Sequence, residues 1–346
     1  MSKILLHLGF DYFSKGRTGV GTYAGNIIWG LDAQYDIIVP SDSSAPLPDN
    51  ANTIILSPLK KRIMGILKKF LPITCFFRGY DIAITGGFCF KHSRKTKQII
   101  IVHDLMSFTE PQNYTLKQRF YHKIAASSYK NADKIIAVSQ STKQALHDLF
   151  RIDFNKIVVL PNITDFYIEH SESTVFLFIG DMRKTKNLAS LIAGFAEYVK
   201  KYGGSEKLII AGSKKYEYAH LVQLTKDLNI EKQVEFSGYI SDEQKRTYFS
   251  KTKAFVFLSD NEGFGIPLLE AGVNGIPVLC SDIPVFHEVL NEDFAVYVDN
   301  KEPEKIAQGF LAIREKCIST IKADELKKRY SFALYKQKLN DFITQL

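Results

Sequence analysis

A chain of 346 residues is long enough for two domains, and its balance of 45% hydrophobic and 24% charged residues is that of an ordinary globular protein rather than a disordered or membrane-embedded one. The formal charge of +8 invites acidic partners such as nucleic acid, anionic lipid or phosphorylated substrates, without choosing among them. Cys75, Cys89, Cys280 and Cys317 are far apart, with no Cys-x-x-Cys pair and no His cluster at zinc spacing, which points to reduced cytosolic thiols and no metal site.

Ile4 to Leu8 reads as a first strand. The N-terminus, Met1 to Gly9, has too short an apolar run for a signal peptide, and no uninterrupted apolar stretch reaches spanning length, so a cytoplasmic protein is expected. After a polar loop, Gly19-Val20-Gly21-Thr22-Tyr23-Ala24 satisfies G-x-G-x-x-A, and Ile27, Ile28 and Leu31 continue at helical spacing. A nicotinamide site is disfavoured. The glycines lie about ten residues beyond the strand, and the next strand, Ile37 to Val39, ends in Pro40 rather than in an acidic ribose binder.

From Leu59 to Leu71, Ile63, Ile66, Leu67, Phe70 and Leu71 form one apolar helical face, with Lys61, Arg62, Lys68 and Lys69 elsewhere around the helix. Two readings stand: a solvated surface helix, or a helix that meets anionic lipid, each basic residue near the surface contributing on the order of 1 kcal/mol. Asp81 to Thr85 and Gln98 to Val102 read as strands, the second ending at His103-Asp104. A histidine at the carboxyl end of a strand in an open α/β sheet faces the crevice where ligands bind, although a structural role is the alternative. Leu116 to Lys130 reads as a helix and Lys134 to Val138 as a strand closed by Ser139. That serine either caps the following helix or faces a ligand cleft. Lys156 to Asn162 is the last strand of this half, and the polar stretch Thr164 to Thr174 reads as an interdomain linker.

Val175 to Ile179 begins a second set of strands and ends in Gly180-Asp181-Met182-Arg183-Lys184-Thr185-Lys186-Asn187. Three cations directly after a strand tip suit a diphosphate, since Arg forks onto phosphate oxygens and Lys acts as a point charge; a solvated basic loop is the alternative. Lys207 to Ala211 is the next strand, and Val234 to Asp242 a further strand and loop. Ala254 to Leu258 is a short buried strand, followed by Ser259-Asp260-Asn261-Glu262-Gly263-Phe264-Gly265-Ile266-Pro267 and a helix that contains Glu270. Gly263 and Gly265 permit a sharp turn and close approach to a ligand, and Pro267 suits a first helical turn. The helix start is a seat for an anion. Two carboxylates beside that seat suit hydroxylated rings, and Glu270 is too deep to serve merely the helix dipole. Strands alternate with helices throughout, so both halves should hold parallel sheets. Lys305 to Lys316 and Phe332 to Leu346 read as terminal helices.

Glu262 to Glu270 is the Glu-x7-Glu spacing, and with Ala271-Gly272-Val273-Asn274-Gly275-Ile276-Pro277-Val278 it resembles the retaining glycosyltransferases of the GT-B fold, specifically glycosyltransferase family 4. The resemblance implies two Rossmann-like domains facing a cleft. The first, residues 1–165 with about 330–346 crossing back as a C-terminal helix, would bind the acceptor. The second, residues 172–329, would bind a nucleoside diphosphate sugar. In that family Glu262 orients the donor sugar, Glu270 the ribose, and Lys186 with Arg183 stabilises the leaving diphosphate. The usual Gly-Arg step is Gly180-Asp181 in this chain, which leaves Lys184 as a substitute for Arg183. His103 matches the histidine that contacts the transferred sugar. Gly19 and Gly21 match the loop near the phosphates, Ser139 the strand-end serine, and Gly263, Phe264, Gly265 and Ile266 the helix-start seat. The backbone of Tyr239 or Ile240 would pass the base.

The implied reaction is metal-independent hexosyl transfer with retention to a glycan or lipid-linked hydroxyl, in polysaccharide or lipopolysaccharide assembly. No Asp-x-Asp occurs in the sequence, in keeping with fixed cations doing the work of Mg²⁺. Retention is expected by front-face attack, because the sequence nominates no nucleophile for the far face of the sugar. A nucleotide-sugar epimerase and a noncatalytic nucleotide-sugar binder remain alternatives. A nucleic-acid partner is not expected, since basic stripes interleaved with aromatics are lacking.

Overall fold

The computed structural model describes residues 2–9, 11–13, 18–57, 79–86, 95–169 and 174–346. The basic amphipathic segment Leu59 to Leu71, with Lys61, Arg62, Lys68 and Lys69, lies outside the described residues, as do Cys75 and Cys89. Of the other cysteines, Cys280 is buried and Cys317 exposed, and both are free thiols.

The chain divides into two compact units, Met1–Ile163 with Tyr330–Leu346, and Thr164–Arg329. Thr164 to Ile168 fall in the second unit. There Phe166 packs edge-on against Phe249 at 5.0 Å, and Asn274 takes the Ile168 N–H and donates to the Phe166 carbonyl. Two aromatic rings and a buried amide thus draw a stretch that reads as polar linker into a core.

The first unit is built on a parallel sheet whose described strands run in the order β3-β2-β1-β4-β5-β6-β7. These are β1 (Ile4–His7), β2 (Tyr35–Pro40), β3 (Ala51–Leu56), β4 (Ile82–Gly86), β5 (Lys97–Val102), β6 (Lys134–Ala137) and β7 (Ile157–Val159). The central strands are apolar along their length because a parallel sheet is covered on both faces. Leu5, Ile38, Leu56 and Tyr80 cluster in one part of this core and Ile100, Ile135, Leu146 and Ile157 in another. At the edge, β3 exposes Asn52, Thr53 and Ile55, so its sequence lacks the buried pattern of its neighbours. The C-terminal helix Phe332–Thr344 packs on the helix Gly19–Gly30. Asn340 donates to the Gly30 carbonyl at 2.8 Å and accepts from the Asp32 N–H at 3.0 Å.

The second unit holds a parallel sheet in the order β10-β9-β8-β11-β12-β13. Its strands are β8 (Val175–Ile179), β9 (Lys207–Ala211), β10 (Val234–Gly238), β11 (Thr252–Phe257), β12 (Val278–Ser281) and β13 (Ala295–Val298). Phe176, Phe195, Tyr198 and Phe310 meet beneath it with ring centroids 4.8–6.3 Å apart. Each is buried, contributing about 1.5–3 kcal/mol by transfer alone. The strand order reverses between β8 and β11. In an open α/β sheet that is where the strand tips diverge and leave a crevice for a ligand.

Candidate active site

The reversal point sets two loop tips side by side. From β8 the chain passes through Arg183 into one 3-10 turn, Lys184–Lys186, and then into the helix Leu188–Tyr202. From β11 it passes through Ser259 to Glu262 and enters the helix Ile266–Val273. Gly265, the residue before that helix, has φ +94°, a conformation that glycine adopts without strain, and Pro267 follows in the first turn. The Asp260 N–H donates to the Thr185 carbonyl at 2.9 Å and ties the two loops together.

Glu262 and Lys186 meet there as a close, largely buried ion pair. The same Glu262 oxygen accepts from Ser259 Oγ at 2.9 Å, and the Lys186 ammonium lies 5.1 Å from the Phe257 ring centre. Each charge balances the other. A ligand that offers hydroxyls to the carboxylate and phosphate oxygens to the ammonium can replace the pair partner for partner, so neither charge is left buried alone.

Glu270 is buried inside the helix Ile266–Val273. Its Oε1 accepts from Lys245 Nζ at 2.6 Å, whereas Oε2 is buried without a hydrogen-bond partner. Lys245 also sits 4.6 Å from the Phe166 ring centre. Burial pushes the Glu270 carboxyl above its ordinary range, and the Lys245 ammonium opposes that rise. An orphaned buried acceptor costs about 1–3 kcal/mol, which a hydroxyl donor would recover.

Arg183 does not join the Lys186–Glu262 pair. Its guanidinium donates to Tyr216 OH at 3.2 Å, stacks 5.0 Å from that ring's centre, and pairs with Asp181 at 3.4 Å. Lys184 is exposed on the 3-10 turn. Phe264 is buried, Gly263 and Ile266 are half-buried, and Tyr239 is 74% exposed just after Gly238, whose φ is +78°.

The first unit carries the other expected residues. His103 follows β5, half-buried and edge-on to Tyr23 at 5.2 Å, and desolvation lowers its imidazole to about 4, so it is neutral at neutral pH. Gly19 and Gly21, read from sequence as a loop, form the first turn of a helix. The Thr18 hydroxyl caps it by accepting from the Gly21 N–H at 3.1 Å, which replaces loop by helix. The Ser139 hydroxyl is buried and engaged as an N-cap, accepting from the Thr142 N–H at 2.9 Å.

Sequence reasoning missed Lys245, Ser259 and the polar residues behind the two loops. Lys245 belongs to no motif and is identified only by its contact. Ser259 carries a weak signal, a polar residue at the carboxyl end of an apolar strand.

The sequence matches two family models: Glycosyltransferase Family 4 over residues 17–166 and Glycosyl transferases group 1 over residues 162–329. It is 31% identical over 252 residues to the O-antigen chain mannosyltransferase RfbU of Salmonella typhimurium, covering 72% of this chain and 69% of that protein. It is 27% identical over 235 residues to the O-antigen chain mannosyltransferase B of Escherichia coli, covering 63% and 61%. The structure of Anabaena HepE in complex with UDP and glucose superposes with a TM-score of 0.75 at 15% identity over the full length of both chains, a likeness of fold. With both halves matched and two parallel-sheet α/β units of the GT-B class, the chain belongs to glycosyltransferase family 4, the group 1 glycosyl transferases.

Proposed function

We propose that this glycosyltransferase moves a hexosyl group from a nucleoside diphosphate sugar to a hydroxyl of a glycan or lipid-linked acceptor, with retention and without a metal, in the assembly of a cell-surface polysaccharide. The observation that carries the reading is the Lys186–Glu262 pair at the reversal of the second sheet, one helical entry away from Glu270 and its unmatched oxygen. The names of the O-antigen relatives support the polysaccharide context and make a mannosyl donor the first to try.

In this reaction the bond from the anomeric carbon to the diphosphate oxygen breaks and a bond to the acceptor oxygen forms on the same face. The acceptor proton passes to a phosphate oxygen of the leaving group. Lys186 stabilises the charge that develops on that group, and the N-terminus of the helix Ile266–Val273 adds its dipole. Glu262 turns from Lys186 to the sugar hydroxyls, and Glu270 takes the ribose hydroxyls on its open oxygen. Arg183 reaches the phosphates on leaving Asp181, with Lys184 as the alternative cation. Neutral His103 acts as a hydrogen-bonding contact to the sugar rather than as a cation. Release of nucleoside diphosphate from GDP-mannose and UDP-glucose in the presence of EDTA, with water standing in as the acceptor hydroxyl, tests the reading. No release by wild type, or full release by Lys186→Met, would count against it.

We also propose peripheral attachment to an anionic membrane. No helix among the described residues is long and apolar enough to cross one. The helix Leu116–Asn131 supports the attachment: Leu116 and Phe120, one turn apart, are 80% and 68% exposed beside Lys117, Arg119 and Lys123, and the helix contains no carboxylate. Flotation with phosphatidylglycerol vesicles tests this. Leu116→Gln with Phe120→Gln should reduce binding, as should replacing Lys61, Arg62, Lys68 and Lys69 by Gln, and unchanged binding removes the segment tested.

A further inference from the structure

Behind the Lys186–Glu262 pair lies a second polar cluster in which Asn187, Asp260, Asn300 and Lys301 converge from the tips of β8, β11 and β13. Asn187 follows Lys186 directly and sits at φ +50°, in the left-handed region that asparagine adopts more readily than most non-glycine residues. Both of its amide hydrogens are used, on the Leu258 carbonyl at 2.9 Å and on Asp260 Oδ1 at 2.7 Å, and its Oδ1 accepts from Lys301 at 3.1 Å. Asn300, buried, shares its two amide hydrogens among the same Leu258 carbonyl at 3.1 Å, Asp260 Oδ1 at 3.2 Å and Ser281 Oγ on β12 at 3.1 Å. Lys301 pairs closely with Asp260 Oδ1. One carboxylate oxygen on the loop after β11 therefore collects three donors from two other loops.

We propose that this cluster is a brace that sets the spacing of Lys186 and Glu262, making Asn187, Asp260, Asn300 and Lys301 positioning residues for the transfer. The proposal rests on the reading of that pair as the catalytic centre. The brace joins the two loops through residues one position from Lys186 and two from Glu262. Within that span the Asp260 N–H to Thr185 carbonyl bond and the Ser259 hydroxyl on Glu262 complete the frame. The helix Leu188–Tyr202 depends on the same residue, since the Leu191 N–H donates to the Asn187 carbonyl at 3.0 Å. Misplacement of reacting groups by about 1 Å costs on the order of a hundredfold in rate.

The test uses Asn187→Gly, which keeps the left-handed backbone without strain while deleting the amide, and Asp260→Ala. The readouts are nucleoside diphosphate release from GDP-mannose and UDP-glucose, calorimetric affinity for GDP and UDP, and the melting temperature. Each variant should lower kcat about ten- to a hundredfold with nucleotide affinity within about threefold of wild type. In a Lys186→Met background Asn187→Gly should lower kcat much less than it does in wild type, because it acts through Lys186, and Asp260→Ala should keep only the part of its loss that runs through Glu262. Lys301→Met should lower kcat and Lys301→Arg should retain it. Unchanged kcat in Asn187→Gly and Asp260→Ala, alongside a crippled Lys186→Met, overturns the brace and leaves the catalytic pair standing. Equal losses in both backgrounds also overturn it. Full turnover by Lys186→Met refutes the underlying reading instead. If Asp260→Ala does not fold, Asn187→Gly carries the test alone.

Discussion

Replacing Gly212 by alanine perturbs the site from behind without touching any group in it. A Cβ on Gly212, just past β9, would lie 1.9 Å from the Gly180 carbonyl oxygen at the tip of β8. Carbon–oxygen contacts in proteins begin near about 3.3 Å, so one strand tip must move by roughly 1.4 Å. The obstacle is backbone on both sides, held by the Gly180 N–H to Ala211 carbonyl bond and the Gly212 N–H to Gly238 carbonyl bond, both 2.9 Å. No flexible side chain can give way. Overpacking of this kind costs about 1–3 kcal/mol, or roughly 2–12 °C in melting temperature for a unit of this size. Because Gly180 leads directly to Arg183 and Lys186, the same shift should lower kcat about a hundredfold. Calorimetric melting and nucleoside diphosphate release measure the two effects. An alanine variant with the melting temperature and turnover of wild type would refute the claim that the strand tips fix the cation loop.

Other consequences follow from burial and charge. Glu270→Gln should weaken nucleotide affinity with little change in the release step, because with its one oxygen held by Lys245 the amide presents a donor where Oε2 had been an acceptor; calorimetry with GDP and UDP checks it. Since burial raises the Glu270 carboxyl, its protonated form is favoured in the folded state, so its stability contribution is lost as pH rises through its folded pKa. Nucleotide binding, which needs the carboxylate, should run the opposite way and weaken as pH falls, more steeply in Lys245→Met; a pH-independent affinity in that variant would contradict the pairing. His103 has the other sign. Its folded pKa of about 4 lies below the unfolded 6.5, so stability on the order of 3 kcal/mol is present above pH 6.5 and lost as pH falls toward 4. Melting curves of wild type and His103→Gln should converge across that window. Gly194→Ala should destabilise the second unit by about 1–3 kcal/mol, since the added carbon would sit 2.4 Å from Ile306, and chemical denaturation measures it.

Much of the architecture is legible because parallel strands buried on both faces are continuous apolar runs, as in Phe176 to Ile179 or Ile99 to Val102. The edge strand Ala51–Leu56 is not, because half of it faces water and Asn52 and Thr53 break the pattern. Nor is the helix Asp242–Ser250, whose only buried residue is Phe249; a capping box by Ser241 and Gln244 starts it, and packing does the rest. At the site, Glu262 is singled out by its spacing to Glu270 and Lys186 by the run of cations after a strand tip, whereas their mutual pairing needed the strand order that brings β8 beside β11. Arg183 shows the limit of spacing alone: its position after a strand tip suggests a phosphate contact, whereas its guanidinium engages Tyr216 and Asp181. The glycines at 19 and 21 read as a loop because they match the family's glycine loop, but Thr18 supplies the cap that draws them into a helix.

The central claim is that Lys186, held against Glu262, supports departure of a nucleoside diphosphate. Its most direct measurement is single-turnover release from GDP-mannose and UDP-glucose in EDTA by wild type and by Lys186→Met, with melting temperatures matched. Wild type should release nucleotide from at least one donor, and Lys186→Met should release it about a hundred- to a thousandfold more slowly. Equal rates in the two proteins would contradict the account.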